Sequence, residues 1–371
     1  MTIVYYTDQI HMHGGLERVM ANKLNYLSEH TKASLHVVTF QQEENLPCYP
    51  LPDTVNLHDL EIPYNRAVSF LHPSNIKYAY THYKRLKKVL KTINPDVVVV
   101  CNYEYGFYFI PFLAKKKNII KEYHSSRYFY NLKRQQNTNI IKKILYKVTD
   151  YFEAKYNHIV VLTSDELNYY KSENKLVIPN AITHFNSKTA NLTNKKAISA
   201  GRIAPVKGFE NLIWAWQEVA KRQPDWVLEI YGDGEVDYID KLKAQISKLN
   251  LNNHVYFKGA TNNLEEKILE SSIYVMSSHT ECFPMVLLEA QACGVPIVSF
   301  DCPNGPRHII NHEVDGLLVE KENIQMLAEN TLKLINNEKT RMIYGKQGKI
   351  NVQRFSEEKI MPIWLNIFKN N

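Results

Sequence analysis

The chain has 371 residues, of which 44 % are apolar and 22 % charged, and it carries a net charge of +7. That length suits two domains of roughly 100 to 200 residues each, and the composition excludes wholesale disorder, collagen-like repeats and a disulfide-dense scaffold. No apolar run approaches the ~20 residues that a membrane helix needs, and residues 1–10 read as a first strand rather than a secretory signal. Five cysteines without a CxxC pair favour neither a disulfide framework nor a zinc site, which fits a reducing cytoplasm.

The positive charge is uneven. Residues 1–185 hold 23 Lys and Arg against 16 Asp and Glu, whereas residues 186–371 hold 22 of each. Clusters such as Lys84, Arg85, Lys87, Lys88 and Lys91, then Lys115, Lys116 and Lys117, then Lys142, Lys143 and Lys147 suit phosphates or an anionic membrane leaflet. For any single cluster a solvated helix face is the simpler reading. A nucleic-acid module is not expected, because there is no zinc-finger spacing, no RNP-like aromatic signature and no long basic arm.

Short β-branched runs alternate with longer amphipathic stretches along the first half, at 3–7, 35–40, 97–101, 119–123, 159–162 and 176–178. A doubly wound parallel sheet is predicted. The pattern restarts at 197–200, 227–231, 255–257, 273–276 and 296–300, which predicts a second α/β domain. Residues 180–194 are polar and without periodicity, as an interdomain connection is. A boundary near Ser187 gives domains over 1–186 and 187–355. Residues 356–371 then hold a terminal helix capped by Ser356, with Ile360, Ile363, Trp364 and Ile367 on one face, which suits packing on either domain, a return to the first being one expectation.

In chain order, the first chemical signal is the pair Gly14 and Gly15 after the first strand and before the helix-like stretch 16–27. Backbone amides there can approach an anion at a helix N-terminus. A tight turn without ligand is the competing reading, and neither a GxGxxG nor a Walker pattern is present. In the second half, the strand at 197–200 exits into Gly201, Arg202, Lys207 and Gly208. Arginine forks two phosphate oxygens and lysine acts as a mobile point charge, a set suited to a leaving diphosphate. The most specific stretch is SSHTECFPMVLLE at 277–289. Glu281 lies in a loop after a strand and Glu289 inside the next helix, while Cys282, Phe283, Pro284, Met285 and Val286 span the helix start with its exposed amides. Carboxylates accept from neighbouring sugar hydroxyls and free amides suit phosphate oxygens, so this loop is fit to grip a nucleotide sugar. The bland alternative is a dipole-favoured carboxylate and a chance surface glutamate.

GGLER, SAGRIAPVKGFENLI, YGDGE, VYFKGA and HTECFPMVLLEAQACGVPIVSFDCPNGPRHII together resemble the retaining glycosyltransferases of family four, over nearly the whole chain. The resemblance implies the GT-B architecture, an α/β fold of two Rossmann-like doubly wound parallel-sheet domains facing a central cleft. It implies an acceptor domain at 1–186 and a nucleotide-sugar donor domain at 187–355. In it Glu289 binds the ribose hydroxyls, Arg202 and Lys207 the diphosphate, Glu281 the donor hexose, and Gly15, beside Gly14, the phosphate from the first domain. Cys282, Phe283, Pro284, Met285 and Val286 line the donor site, with Phe257 and Lys258 near the base. His124, in KEYHSSR, matches the family histidine near the reacting sugar, and Arg127 stands beside the acceptor. Glu281, His124, Arg202 and Lys207 are thus the expected catalytic set. Cys282 and Pro284 stand where the family usually has glycine, which bears on loop shape and donor choice, and Arg307-His308 stands where related capsule enzymes read Arg-Glu.

The expected reaction moves a hexosyl unit from a nucleoside diphosphate sugar, with uridine as the expected base, to an acceptor hydroxyl with retention. No DxD triplet occurs, so no metal or other cofactor is called for. Arg202, Lys207 and helix-end amides stabilise the departing diphosphate, and no carboxylate is assigned as a covalent nucleophile. The expected setting is bacterial surface-polysaccharide or glycolipid assembly, in the cytoplasm with peripheral contact at the inner, anionic membrane face and a saccharide or lipid-linked saccharide as acceptor. The rivals are a GT-B phosphorylase or epimerase, which product analysis separates, and a non-catalytic nucleotide-sugar-binding protein.

Overall fold

The computed structural model describes residues 1–136, 139–183 and 188–369. The chain divides into two compact units, Met1–Ala181 together with the stretch from Glu357 onward, and Ile182–Ser356. Ser187 and the limits 186 and 187 lie outside the described residues, and the division between the units falls at 181/182.

In the first unit the strands are β1 (Thr2–Tyr6), β2 (Ser34–Thr39), β3 (Val55–Asp59), β4 (Val97–Val100), β5 (Asn118–Glu122), β6 (His158–Val161) and β7 (Lys175–Val177). All pair in parallel, in the order β3-β2-β1-β4-β5-β6-β7. β4 reads Val-Val-Val-Val and every residue is fully buried, the composition of a central strand covered on both faces. The period of two sorts neighbours to opposite faces. Ile3 and Tyr5 meet Met20, Leu24 and Leu27 of the helix Gly15–His30, while Val4 and Tyr6 meet Leu86, Phe107 and Ile110.

The terminal helix Glu357–Lys369 belongs to this unit. It buries Ile360, Met361, Trp364, Ile367 and Phe368, whereas Ile363 is exposed. The expected face is therefore corrected: the stripe runs i, i+1, i+4, i+7, i+8, and Met361 and Phe368 replace Ile363. The Asn118 side-chain amide donates to the Ile367 carbonyl at 2.6 Å, which ties the helix end to β5.

One charge enters this core. Lys23, on the inward side of Gly15–His30, is paired with Glu122 at the end of β5, and its ammonium lies 3.7 Å from the centroid of the Trp364 ring. Burial by itself pushes the Glu122 carboxyl up. Lys23, His124 and the hydrogen bonds both donate outweigh it and hold the group at about 2.

The second unit has β8 (Lys196–Ala200), β9 (Val227–Tyr231), β10 (Val255–Gly259), β11 (Ile273–Met276), β12 (Ile297–Asp301) and β13 (Gly316–Glu320), all parallel, in the order β10-β9-β8-β11-β12-β13. The helix Phe209–Arg222 buries Phe209, Leu212, Ile213, Trp216, Val219 and Ala220, the i, i+3, i+4, i+7 stripe of a helix laid on a sheet. Both sheets reverse strand order beside their first strand, between β1 and β4 and between β8 and β11. Ligands of open α/β sheets bind at the carboxyl ends of such strands.

Two outcomes follow from the core of the first unit. Trp364→Ala removes a fully buried ring and should cost about 3–5 kcal/mol in urea unfolding. Lys23→Met leaves a buried carboxylate without its cation and should cost a similar amount at neutral pH. The Glu122 pKa is depressed below its unfolded value of about 4.3, so the native chain keeps this carboxylate's contribution above about pH 4 and loses it as the pH falls toward about 2. In the variant the penalty shrinks on acidification, because protonation removes the unpaired charge. Urea midpoints across that range check the sign.

Candidate functional site

In the second unit the reversal point carries a tied pair of loops. After β8 the chain turns through Gly201, Arg202 and Lys207 into the helix Phe209–Arg222; after β11 it runs through Ser277, Ser278 and Glu281 into the helix Met285–Ala292. Gly208 has φ +62°, and a Cβ there would collide with the Ser277 carbonyl oxygen. Only glycine lets the two loops approach this closely. The Ser277 hydroxyl donates to the Lys207 carbonyl at 3.2 Å, and the His279 amide to the Val206 carbonyl at 2.9 Å.

This approach brings two of the predicted residues into direct contact. The Lys207 ammonium donates to a Glu281 carboxylate oxygen at 2.6 Å, and the Ser278 hydroxyl donates to the same oxygen at 2.7 Å. The Glu281 side chain is only 10 % exposed, so a carboxylate is held here with charge-assisted bonds. Arg202 is exposed and makes no hydrogen bond or ion pair with a described residue. A cation and an ion pair thus flank one strand exit. The turn Tyr231 to Glu235 backs this exit. Gly201 donates to the Tyr231 carbonyl at 3.0 Å and Ile203 to the Asp233 carbonyl at 2.7 Å, and a Cβ on Gly232 would strike the Gly201 carbonyl.

The helix Met285–Ala292 starts at Pro284 with no side-chain cap, so its first amides point outward with the positive end of the helix dipole. Met285, Val286 and Cys282 are half-buried around that end, Phe283 is buried against Phe355, and Pro284 packs on Gly305. Glu289 is half-buried one turn after Met285 on this helix. Phe257 and Lys258 lie on β10, two strands from the reversal point. Phe257 packs partly into the core, and the Lys258 ammonium sits 3.7 Å from Glu229. Among the described residues, the polar side-chain partners of Lys207 and Glu281 lie on their own two loops.

Sequence reasoning did not single out Tyr274. Its hydroxyl accepts from the Ala200 amide at 3.0 Å and donates to the Ala200 carbonyl at 2.9 Å, where the β8 and β11 ladder ends after Tyr274. It staples the strands at the point where they part. A tyrosine in an apolar strand reads as core, so no signal marked it. Ser278 lay within the quoted SSHTECFP stretch and was missed as a partner of Glu281.

In the first unit, Gly14 precedes the helix Gly15–His30, which has no side-chain cap, and a Cβ on Gly15 would meet nothing within 4 Å. The Glu17 carboxylate sits in that first turn and accepts from the Gln9 side chain at 2.7 Å. Burial raises the Glu17 pKa. His124 follows β5, and its Nε2 lies 3.0 Å from Glu122. Residues 122 and 124 share a side because the strand period is two. Since Glu122 stays ionised, it accepts from the Nε2–H of His124 and holds the ring in place.

Arg127 has a different occupation from the one expected. It is 6 % exposed, its terminal nitrogens serve Glu153 and the Tyr123 hydroxyl, and its guanidinium lies over the Tyr170 ring at 4.1 Å. The geometry makes it a buried structural cation rather than a group offered to an acceptor. One trio among the described residues, Cys101, Glu122 and His124, brings donor atoms of metal-ligand type within 4.8 Å of one another. Lys23 already neutralises Glu122, and burial pushes the Cys101 thiol up, so the trio is poorly suited to a cation.

Comparison with known proteins bears on this geometry. The family model described as Glycosyl transferases group 1 matches residues 180–351, and that described as Glycosyltransferase Family 4 matches residues 13–184. An uncharacterized glycosyltransferase of Haemophilus influenzae is 29 % identical over 95 % of this chain and 96 % of its own length. The poly(ribitol-phosphate) alpha-N-acetylglucosaminyltransferase of Staphylococcus aureus is 30 % identical over 58 % of this chain and 44 % of its own. Among solved structures, TarM aligns at TM-score 0.80 with 17 % identity over 100 % of this chain and 99 % of that one. HepE of Anabaena, in complex with UDP-glucose, aligns at 0.72 with 20 % identity over 99 % and 98 %. These structural likenesses establish the GT-B type of α/β fold, with two Rossmann-like parallel-sheet units. With the two family models overlapping only at residues 180–184 and together spanning residues 13–351, the chain belongs to the group 1, family 4 glycosyltransferases.

Proposed function

We propose that this glycosyltransferase takes a hexosyl unit from a uridine diphosphate sugar and passes it, with retention at the anomeric carbon, to a hydroxyl of a saccharide or lipid-linked saccharide in surface-polysaccharide or glycolipid assembly. The observation that carries the reading is the Lys207–Glu281 pair at the reversal point of the second sheet, beside exposed Arg202 and the uncapped helix Met285–Ala292. The UDP complexes of TarM and HepE support the choice of base. Support for the setting comes from the names of relatives, among them an amylovoran biosynthesis glycosyltransferase of Erwinia amylovora.

In this reading the second unit is the donor unit and the first, Met1–Ala181 with the stretch from Glu357 onward, is the acceptor unit. Lys207 has two claims on it. A diphosphate draws the ammonium toward its oxygens, and Glu281, released from that partner, accepts from hexose hydroxyls while Ser278 continues to donate to it. Arg202 and the amides of the helix start take the charge that develops on the leaving diphosphate. Two cations and a helix end meet that need without a divalent metal. Glu289 accepts from the ribose hydroxyls, Gly15 leaves room for phosphate whereas the Glu17 carboxylate crowds Gly14, and Phe257 and Lys258 border the base. His124, set by Glu122, orients the reacting sugar. Attack comes from the face the diphosphate leaves, with a phosphate oxygen taking the acceptor proton, so no covalent enzyme intermediate forms. The enzyme works in the cytoplasm and touches the inner membrane face peripherally.

Binding is measurable without knowing the acceptor. UDP at about 100 times its Kd should stabilise the chain by about 2.7 kcal/mol in thermal denaturation, with weaker shifts from GDP and ADP. Lys207→Ala should weaken UDP by roughly 10- to 100-fold, the size of one charge-assisted bond. No shift with any of the three nucleotides would overturn the donor reading. Once an acceptor is in hand, Glu281→Gln should lower kcat by a factor of roughly 100 or more, and EDTA should leave the rate of the native enzyme unchanged. An unaltered cellular role for Glu281→Gln would instead favour the non-catalytic binding protein.

A further inference from the structure

The helix Ile140–Glu153 is anchored along one side only. Thr149 and Glu153 are buried, with the Tyr103 hydroxyl donating to Thr149 at 2.6 Å and the Tyr123 hydroxyl to Glu153 at 2.7 Å, and Asp150 pairs with Arg134. At 100° per residue, Ile140, Ile141, Ile144, Leu145 and Val148 fall within an arc of roughly 140° that turns away from those anchors. This arc is open: Ile140 is 73 %, Ile141 69 % and Ile144 55 % exposed. Single exposed apolar residues are ordinary, but five on one helical face are not.

The charge around this face has one sign. From residue 123 to residue 149 the sequence holds six Lys and Arg and no Asp or Glu. Arg127 and Arg134 are spent on Glu153 and Asp150, whereas Lys142, Lys143 and Lys147 are exposed and form no ion pair with a described residue. The patch continues onto exposed Phe112, whose ring packs edge-on against Phe152 at 5.7 Å, and Lys115 and Lys116 follow it. An apolar ridge bordered by unpaired lysines complements anionic headgroups over an acyl layer. No described helix is long and apolar enough to cross a membrane, so the matching geometry is a helix lying in the interface.

We propose that the helix Ile140–Glu153 is a membrane-docking element, which sinks Ile140, Ile141, Ile144, Leu145 and Val148 among the acyl chains of an anionic leaflet while Lys142, Lys143 and Lys147 contact lipid phosphates. It deepens the peripheral contact proposed above by giving it a surface and an apolar component, and it needs no turnover to test. Burying even part of five aliphatic side chains adds a salt-insensitive attraction to the screened electrostatic one.

The test is co-sedimentation of the full chain with vesicles of phosphatidylcholine alone or of equimolar phosphatidylcholine and phosphatidylglycerol. Binding to the anionic vesicles alone is expected, weakened but not abolished by added salt. Ile141→Asn with Leu145→Asn replaces exposed residues, so the fold is kept, and it should lower the bound fraction at least about tenfold, the loss of some 1.4 kcal/mol or more. Its UDP-induced thermal shift should equal that of the native chain. Sedimentation of this variant like the native chain, absence of binding to either vesicle, or a dimer of the native chain that the variant splits would each overturn the proposal. Vesicle binding without any UDP shift would leave the docking element standing and remove the donor reading instead.

Discussion

In a parallel sheet every strand must be re-entered from the same end, and where the strand order reverses, neighbouring chains leave toward opposite faces. The loops after β8 and β11 therefore part from one another, and the backbone groups at the exit lose their ladder partners. The rest of the second unit's site answers that separation. Tyr274 satisfies both backbone groups of Ala200, Gly208 lets the loops meet again a few residues on, and Ser277 and His279 tie them. These ties bring Lys207 and Glu281 within reach of each other. The charges of the site are thus positioned by neutral hydrogen bonds and a glycine rather than by the ion pair itself.

The first unit solves a different electrostatic problem. One strand from its reversal point, at the exit of β5, stands a histidine whose partner, Glu122, is buried, and a buried carboxylate is tolerated only if it is neutralised and hydrogen-bonded. Lys23 does this from the helix Gly15–His30, and the Trp364 ring shields the ammonium from the other side. The orientation of His124 hence depends on a residue some 240 positions away in sequence. Breaking such a pair is costlier than never having formed it, since what remains is an isolated charge in a core of valine and isoleucine.

Much of this architecture was legible in the sequence, for reasons specific to each element. β4, four valines long, and the stripe Phe209, Leu212, Ile213, Trp216 are unmistakable because burial on two faces, or on one face of a helix, dictates their period. β3 was not, since Val-Asn-Leu-His-Asp is a half-exposed edge strand with three polar residues, and β13 was hidden by its start at Gly316. Lys207, Glu281 and Arg202 were singled out by glycines at strand exits and motif spacing, and the fold brings the first two into contact. Arg127 was misjudged because its occupant, Glu153, comes from a distant helix and no local pattern announces a long-range ion pair. Tyr274 and Glu122 escaped for the same reason: their partners are set by tertiary approach, and adjacent strands in space are not adjacent in sequence.

The two ends of the second unit lie side by side. Ile182 donates to the Phe355 carbonyl at 2.9 Å and bridges Ser356 in parallel, while the chain on either side of this staple belongs to the first unit. Topologically the second unit is a cassette inserted into its companion, entered and left at a single hydrogen-bonded gate. Domain insertions tolerate exchange at such gates, because neither flanking segment has to be rethreaded. A lineage can in this way trade the whole of residues 182–356 for another version while the sheet of the first unit, closed by its own C-terminal helix, is left as it was.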